Sequence, residues 1–217
     1  MTVRAVVFDL DGVLIDSEEI WERARRTFVA AHGGTYTEQA TREIMGMSAP
    51  EWSHYLATKL GVNLPDREID DGVVALVEAE YRRALPLFPG AVEVVRRLAA
   101  RVPLGLASSS NRSLIDLVLE LADIADCFTA TVSAEEVGRG KPAPDVYLQA
   151  ADRIATPAGD CAAIEDSGNG ILSAKAAGMY VVALPNRKFP PTPEALGRAD
   201  VIVDRLAALD TALFGVR

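Results

Sequence analysis

The sequence predicts an α/β protein with a doubly wound parallel sheet and an α-helical domain inserted after the first strand. Short apolar strands alternate with helical segments after residue 86, which is typical of a parallel sheet covered by helices on both faces. Residues 18–84 show helical periodicity alone. A chain of 217 residues suits one core with a modest insertion. We therefore expect an α/β core domain at residues 1–16 and 86–217 and a helical cap domain at residues 17–85.

The predicted elements follow one another in a regular order. Residues 3–9 are strand-like, because the run from Val3 to Phe8 is apolar and largely β-branched, with Arg4 as its one charge. Glycines and Pro65 divide the cap segment into about four helices. Further strands are predicted at residues 102–107, 128–132, 161–164, 180–184 and 201–203, and further helices at about 90–100, 112–123, 144–154 and 168–177, with one more helix at the end of the chain.

Composition and charge exclude several classes of function. The net charge of −9 argues against a nucleic-acid backbone or an anionic membrane as a partner. The sequence shows no secretory signal and no apolar run that approaches the length of a membrane span. Cys127 and Cys161 lack metal-binding spacing and begin apolar runs, which indicates reduced, buried thiols. We expect a cytoplasmic monomer that acts on a small molecule.

Two aspartates come directly after the first predicted strand. Asp9 and Asp11 are two residues apart, so both side chains would project to one side at the carboxyl end of the strand, where open α/β sheets bind ligands. Two carboxylates at one site repel each other unless a cation or a shared proton intervenes. Mg2+ suits the site, because it takes oxygen ligands and accompanies phosphate. The alternative is that both aspartates are turn formers and that Gly12 supplies a tight bend.

A run of hydroxyl side chains follows the next predicted strand. Ser108, Ser109 and Ser110 stand between this strand and a predicted helix. Backbone N–H groups at such a turn, together with the Ser108 hydroxyl, would form a cradle for an anion. Helix capping is the simpler explanation for Ser110 or Asn111. Ser108 is less readily explained as a cap, because it lies at the end of the strand.

A lysine stands in the polar loop after the third predicted strand. Lys141 lies between Gly140 and Pro142, which would restrict its position. Its ammonium would act as a point charge on a phosphate group. Taken alone, a surface lysine is far more often solvated than functional.

Two acidic residues follow the fourth predicted strand and precede a helix that begins with glycine. Asp166 would complete an oxygen-ligand metal site with Asp9 and Asp11, while Glu165 would bind the metal or orient the site. The alternative is that Asp166 or Ser167 is a helix N-cap.

These four motifs, in this order, resemble those of the haloacid dehalogenase superfamily. The resemblance covers essentially the whole chain and is closest to the phosphatase and β-phosphoglucomutase-like branch, which has a Rossmann-like core and a helical cap inserted after the first motif. One such motif is weak evidence, but four in order at strand ends are specific. The matching segments are Phe8-Asp9-Leu10-Asp11-Gly12-Val13-Leu14-Ile15-Asp16-Ser17, Ala107-Ser108-Ser109-Ser110, Gly140-Lys141-Pro142-Ala143-Pro144-Asp145 and Glu165-Asp166-Ser167-Gly168-Asn169-Gly170.

The resemblance also implies a role for each matched residue. Asp9 would be the nucleophile and Asp11 the acid and base, with the backbone carbonyl of Asp11 among the ligands of a Mg2+ cofactor. Superfamily members that cleave carbon–halogen bonds usually lack that acid and the metal, so Asp11 and Asp166 argue against dehalogenation. The other implied roles are phosphate binding by Ser108, Ser109 and Lys141, metal binding by Asp9, Asp11 and Asp166, and metal binding or orientation of the metal site by Glu165.

The function implied by the resemblance is Mg2+-dependent hydrolysis of a small phosphorylated metabolite, with a sugar phosphate as the expected substrate, through an aspartyl-phosphate intermediate. The main alternative is a sugar phosphomutase like β-phosphoglucomutase. Those mutases carry a histidine, an arginine and a lysine in the cap, where this chain has Trp21, Ala49 and, in a gapped alignment, Val77. These departures favour hydrolysis, because a mutase must hold a bisphosphate and exclude water. A regulator that binds a phosphometabolite without turnover is a third interpretation, although such a protein needs no paired acids.

Overall fold

The computed structural model describes residues 3–44, 47–186 and 188–214, with only the backbone of Thr211. The chain folds as two compact units. One unit comprises Met1–Asp16 and Leu87–Arg217, and the other comprises Ser17–Pro86. None of the helices in the described ranges combines the length and hydropathy needed to cross a membrane.

The larger unit is built on a parallel sheet that has six strands within the described residues. These are β1 (Ala5–Phe8), β2 (Leu104–Ser108), β3 (Ala130–Ser133), β4 (Cys161–Glu165), β5 (Tyr180–Ala183) and β6 (Val201–Ile202). The strand order is β3-β2-β1-β4-β5-β6, and every neighbouring pair is parallel. This order confirms the predicted doubly wound, Rossmann-like core.

The smaller unit consists of helices that pack through a shared apolar interior. Its helices in the described residues are α1 (Glu18–Ala31), α2 (Glu38–Ile44), α3 (Ala49–Lys59) and α4 (Asp66–Arg83). Trp21 of α1 packs edge-on against Trp52 of α3, with ring centroids 6.1 Å apart. A Cβ added at Gly72 of α4 would lie 2.2 Å from the ring of Phe28, so α1 and α4 approach closely only because residue 72 is glycine.

Helices cover the sheet of the larger unit. They are α5 (Ala91–Ala99), α6 (Arg112–Leu121), α7 (Asp145–Arg153), α8 (Gly168–Ala176) and the short α9 (Pro193–Leu196). The sequence analysis predicted the first four but missed α9. The sequence does contain a start signal for α9, which is a threonine followed by a proline. In the structure, Thr192 caps the helix by accepting a hydrogen bond from the N–H of Ala195 at 3.3 Å, and Pro193 occupies the first helical position.

The central strands β1, β2 and β4 are buried on both faces, as a doubly wound sheet requires. Ala5 and Val7 of β1 belong to an apolar layer that also contains the inner faces of α7 and α8. Val6 and Phe8 alternate to the opposite face and are equally buried. The Phe8 ring packs edge-on against Phe128, with centroids 6.2 Å apart. Burial on both faces explains why these strands are continuous apolar runs instead of alternating ones.

The prediction of a helix at the end of the chain is wrong within the described residues. Leu206–Ala208 and Thr211–Phe214 form two separate 3-10 turns instead. Between them, Oδ1 of Asp210 accepts a hydrogen bond from the N–H of Ala212 at 3.2 Å. Such a local side-chain bond competes with the backbone bonds of a continuous helix.

Both cysteines are free thiols, and they differ in burial. Cys161 is fully buried at the start of β4, and this burial raises the pKa of its thiol to about 11. Cys127 is only half-buried, because it ends the surface 3-10 turn Ala125–Cys127. The predicted burial therefore holds for Cys161 alone.

Candidate active site

The predicted site residues follow four neighbouring strands at one edge of the sheet. Asp9 comes directly after β1, and its N–H donates to the carbonyl of Ile164 in β4 at 3.0 Å. The strand order reverses between β1 and β4, and in open α/β sheets ligands bind in the crevice at such a switch point. Ser108 ends β2, Lys141 lies between β3 and α7, and Asp166 follows β4. Folding therefore brings all four motifs to the same edge.

Lys141 joins two of the carboxylates. Its Nζ donates to Oδ1 of Asp9 at 2.8 Å and to Oε1 of Glu165 at 2.6 Å. The lysine side chain is 6% exposed, and the side chains of Asp9 and Glu165 are 9% and 0% exposed. A buried ammonium is tolerated when it is paired, and here two carboxylates pair with it. Lys141 is therefore not a solvated surface lysine.

The site holds more negative than positive charge. Burial raises the pKa of Asp9 to about 7; Lys141 opposes this shift, while the Glu165 and Asp11 carboxylates reinforce it. Burial alone would lower the pKa of Lys141, but the carboxylates of Asp9 and Glu165 outweigh it and raise that pKa. The lysine is therefore charged at neutral pH. A divalent cation would relieve the remaining repulsion and favour the ionised form of Asp9.

Three buried carboxylates lie close enough together to hold a metal ion. Oxygen atoms of Asp9, Glu165 and Asp166 are within 4.8 Å of one another. Gly12 leaves the space that the third carboxylate occupies, because a Cβ added there would lie 1.9 Å from Oδ2 of Asp166. A donor set made only of carboxylate oxygens suits a hard divalent cation. The residues present therefore fit Mg2+.

Both carboxylate oxygens of Glu165 accept hydrogen bonds. Oε1 accepts from Lys141 and, at 2.7 Å, from the hydroxyl of Tyr147. Oε2 accepts from the N–H groups of Asp166 and Ser167 at 3.1 and 3.3 Å, and from the Ser167 hydroxyl at 3.1 Å. Glu165 therefore anchors Lys141 on one side and the approach to α8 on the other.

The first turn of α8 is fitted closely to this acidic motif. Ser167 is the N-cap, and its Oγ accepts a hydrogen bond from the N–H of Gly170 at 3.1 Å. A Cβ added at Gly170 would lie 1.8 Å from Oε1 of Glu165, so only glycine leaves room for that carboxylate. Of the two residues expected as possible caps, Ser167 caps the helix and Asp166 belongs to the carboxylate group.

Two serines at the end of β2 contact the carboxylate of Asp11. Ser110 Oγ donates to Oδ2 at 2.6 Å, and Ser108 Oγ lies 3.5 Å from the same atom. The N–H of Ser110 donates to Ser108 Oγ at 3.0 Å, which ties the turn together. Of the two residues considered as caps, Asn111 does occupy the N-cap position of α6, although its side chain makes no capping bond, whereas Ser110 contacts Asp11 instead. Ser109 is exposed on the same turn.

Two contacts of this site were not predicted from the sequence. The sequence alone does not connect Ser110 with Asp11, since a serine before a helix is equally suited to capping. It also does not single out Tyr147, whose ring centroid lies 5.0 Å from Nζ of Lys141. Tyr147 lies beside Val146 in the first turn of α7, where both are buried. A buried tyrosine hydroxyl needs a hydrogen-bond partner, and this requirement was the available signal for a polar contact.

The chain matches a family of known proteins over most of its length. Residues 3–178 match the family described as haloacid dehalogenase-like hydrolase. Hexitol phosphatase B of Escherichia coli (strain K12) is 32% identical over 210 residues, which cover 95% of this chain and 94% of the relative. Validoxylamine A 7'-phosphate phosphatase of Streptomyces hygroscopicus subsp. limoneus is 31% identical over 209 residues, which cover 94% of each protein.

The fold is shared with a solved structure. CbbY from Rhodobacter sphaeroides, in complex with phosphate, has a TM-score of 0.85 to this chain at 25% identity, and the match covers 95% of this chain and 96% of that one. The family match spans residues 3–178, and the two phosphatase relatives each align with more than nine-tenths of the chain. The chain therefore belongs to the haloacid dehalogenase-like hydrolases and is a phosphoric monoester hydrolase of that superfamily.

Proposed function

We propose that the protein is a Mg2+-dependent phosphatase that hydrolyses a small phosphorylated metabolite through an aspartyl-phosphate intermediate on Asp9. The observation that carries the proposal is the buried position of Asp9 at the switch point of the sheet, in contact with Lys141 and grouped with Asp166. The similarity to a hexitol phosphatase supports a phosphorylated sugar or sugar alcohol as the substrate. Residues 17–85 would serve as the cap that selects the leaving group.

The chain offers suitable ligands for the metal. The side chains of Asp9 and Asp166, with the backbone carbonyl of Asp11, would hold Mg2+, and Glu165 would orient the site through its hydrogen bonds. Mn2+ takes the same oxygen ligands and should substitute. Bound there, the ion would neutralise charge on the phosphoryl oxygens and so permit attack by a carboxylate.

The first step transfers the phosphoryl group to Asp9. A carboxylate oxygen of Asp9 attacks phosphorus in line with the ester oxygen, and the bond to the leaving oxygen breaks with its electron pair. Asp11, in its protonated form, gives its proton to that oxygen, so the product leaves as an alcohol. Lys141 stabilises the transferring group, while Ser108 and Ser109 with their backbone N–H groups would bind its oxygens.

The second step returns the enzyme to its starting state. The Asp11 carboxylate takes a proton from a water molecule, whose oxygen attacks the phosphorus of the aspartyl phosphate. The bond between phosphorus and the Asp9 oxygen breaks, inorganic phosphate leaves, and Asp11 is protonated again. The hydroxyl of Ser110, 2.6 Å from Oδ2 of Asp11, would hold this carboxylate in place for both proton transfers.

The mutase alternative needs cationic groups in the cap that these positions do not supply. Trp21 is buried and packs against Trp52. Ala49 is the first residue of α3, and Val77 is fully buried in α4. An indole and two small aliphatic side chains cannot grip the second phosphate of a bisphosphate. These positions therefore support transfer to water. The regulator alternative is weaker still, because all four chemical positions are filled.

The test is a screen for phosphate release with Mg2+ across sugar phosphates, sugar-alcohol phosphates, nucleotides, phosphoglycolate and glycerol phosphates. We expect turnover of at least one sugar or sugar-alcohol phosphate, and none by the Asp9→Asn variant. To separate hydrolysis from isomerisation, β-glucose 1-phosphate is supplied with a trace of the 1,6-bisphosphate. Rapid formation of glucose 6-phosphate with almost no free phosphate would show a mutase instead.

We also propose that the protein acts as a cytoplasmic monomer without nucleic acid or membrane as a partner. The net charge of −9 supports the exclusion of polyanionic partners, because both would repel the chain. Light scattering coupled to gel filtration would measure the oligomeric state, and a dimer would overturn this part of the proposal.

A further inference from the structure

Tyr147 of α7 lies behind the lysine of the site. Its hydroxyl donates to Oε1 of Glu165 at 2.7 Å, and Nζ of Lys141 donates to the same oxygen at 2.6 Å. The ammonium lies 3.5 Å from the tyrosine hydroxyl oxygen and 5.0 Å from the ring centroid. One side chain therefore meets Lys141 in three ways: through a shared acceptor, through its hydroxyl and through its ring.

Packing alone does not explain the hydroxyl of Tyr147. The ring belongs to the apolar layer beneath the sheet, beside Val146 and Ala150, where a phenylalanine would fill the same space. Burying a hydroxyl costs free energy unless it is hydrogen-bonded, and its partner here is a fully buried carboxylate. A tyrosine hydroxyl is protonated at neutral pH, so it donates to this carboxylate.

The position of Lys141 depends on a balance between two carboxylates. Its ammonium has three N–H donors, and the carboxylates of Asp9 and Glu165 each accept a hydrogen bond from one of them. Both carboxylates contact the same Nζ, so together they fix where the ammonium lies. The Tyr147 hydroxyl donates to the same Glu165 oxygen and restrains that carboxylate, while the aromatic ring lies beside the ammonium.

We propose that Tyr147 is a positioning residue for phosphoryl transfer: it fixes Glu165, and through it sets Lys141 at its distance from Asp9. The inference rests on the proposed function, because it assigns Tyr147 a part in the reaction of Asp9 and Lys141. It adds a residue outside the four sequence motifs to the machinery of the site.

The first experiment compares two deletions of a buried tyrosine hydroxyl. Tyr147→Phe keeps the ring and removes the hydroxyl. Tyr81→Phe is the matched control, because Tyr81 is also fully buried but lies in α4. We expect kcat/KM to fall about tenfold for Tyr147→Phe, as for the loss of a hydrogen bond to a charged group, and to stay within about twofold for Tyr81→Phe. Thermal unfolding of both variants measures the structural cost of each deletion, which separates a loss of activity from a loss of stability.

The second experiment asks whether Tyr147 acts through Lys141. The binding of inorganic phosphate in the presence of Mg2+ is measured calorimetrically for wild type, Tyr147→Phe, Lys141→Met and the double variant. We expect Tyr147→Phe to weaken phosphate binding about fivefold in the wild-type background and less than about twofold in the Lys141→Met background. If Lys141→Met does not fold, Lys141→Arg takes its place, because a guanidinium cannot occupy the same position.

Two results would overturn the inference: an unchanged kcat/KM in Tyr147→Phe, or an equal loss of phosphate affinity with and without Lys141. The inference and the proposed function fail separately. A wild-type protein without phosphatase activity would refute the proposed function, whereas an active wild type and an equally active Tyr147→Phe would refute the positioning role alone.

Discussion

The backbone of Gly12 lies directly against the carboxylate of Asp166, so that a Cβ at Gly12 would stand 1.9 Å from Oδ2 of Asp166. Gly12 also has a φ of 78°, in the left-handed region that favours glycine. The loop after β1 and the acidic motif after β4 are therefore fitted to each other at the proposed metal site. This fit gives Gly12 two separate roles, one in the turn and one in leaving space for a ligand.

Replacing Gly12 with alanine should impair metal binding more than folding. The new Cβ would push Asp166 aside, so we expect the Mg2+ concentration for half-maximal activity to rise about tenfold or more. The positive φ should cost about 1–2 kcal/mol of unfolding free energy. Metal titrations of phosphate release and thermal unfolding measure the two effects.

Gly90→Ala is the matched control for that substitution. Gly90 has a φ of 83°, but an added Cβ there meets nothing within 4 Å. This variant carries the same backbone strain without the contact, so it should lose stability and keep its metal dependence. An equal shift in the Mg2+ titration of both variants would contradict the role of Gly12 at the metal site.

Metal removal should abolish activity reversibly. Asp9, Glu165 and Asp166 offer only oxygen donors, so we expect Mg2+ or Mn2+ to restore phosphate release after treatment with EDTA and Zn2+ to fail. Circular dichroism of the EDTA-treated protein should show an intact fold, which separates loss of metal from unfolding. Full activity in EDTA without added metal would disprove the metal requirement.

Ser110→Ala should slow turnover without unfolding the protein. The hydroxyl donates to Oδ2 of Asp11 at 2.6 Å, so its loss should leave the acid and base poorly oriented and lower kcat about tenfold. Ser113→Ala is the control, because Ser113 is exposed on α6. Steady-state kinetics measure kcat for both variants. A wild-type kcat in Ser110→Ala would show that this hydroxyl has no part in the reaction.

Most of the sheet could be predicted from the sequence because its strands are apolar runs that end abruptly in polar residues. The same pattern located Asp9, Ser108 and Asp166, since parallel strands place their carboxyl ends at one edge. The same pattern could not show the partners of Lys141, because a lysine in a polar loop is usually solvated and its two carboxylates come from other parts of the chain.

The partners of Ser110 and Tyr147 could not be predicted from the sequence. The acceptor of each hydroxyl is distant in sequence, because Asp11 follows β1 and Glu165 ends β4. The absence of a terminal helix has a local cause, because Asp210 uses its side chain to bind a nearby N–H.

Glu136 should make stability depend on pH. Its carboxylate accepts a hydrogen bond from the N–H of Ser133 at 2.9 Å and pairs with Arg112 of α6 and Arg153 of α7. Partial burial would raise the pKa of Glu136, but these partners outweigh it and lower that pKa from 4.5 to about 2. Because the pKa is lower in the folded state, the carboxylate contributes its full stability above pH 4.5 and loses it as the pH falls towards 2.

Glu136→Gln should therefore cost about 1–2 kcal/mol of unfolding free energy at neutral pH and progressively less in acid. Urea unfolding of variant and wild type at pH 7 and at lower pH measures the difference. Glu120→Gln, at an exposed position of α6, is the control and should have no effect at either pH. A difference that grows as the pH falls would contradict the assigned partners of Glu136.

The central claim is that Asp9 carries the phosphoryl group, and it can be tested by trapping. In Asp11→Asn, p-nitrophenyl phosphate should still phosphorylate Asp9, because this leaving group needs little help from an acid. Hydrolysis of the intermediate should slow, because the base that activates water is missing. After an acid quench, mass spectrometry should find one phosphoryl group on the peptide that contains Asp9. A phosphoryl group on another residue, or near wild-type turnover by a folded Asp9→Asn variant, would contradict the account.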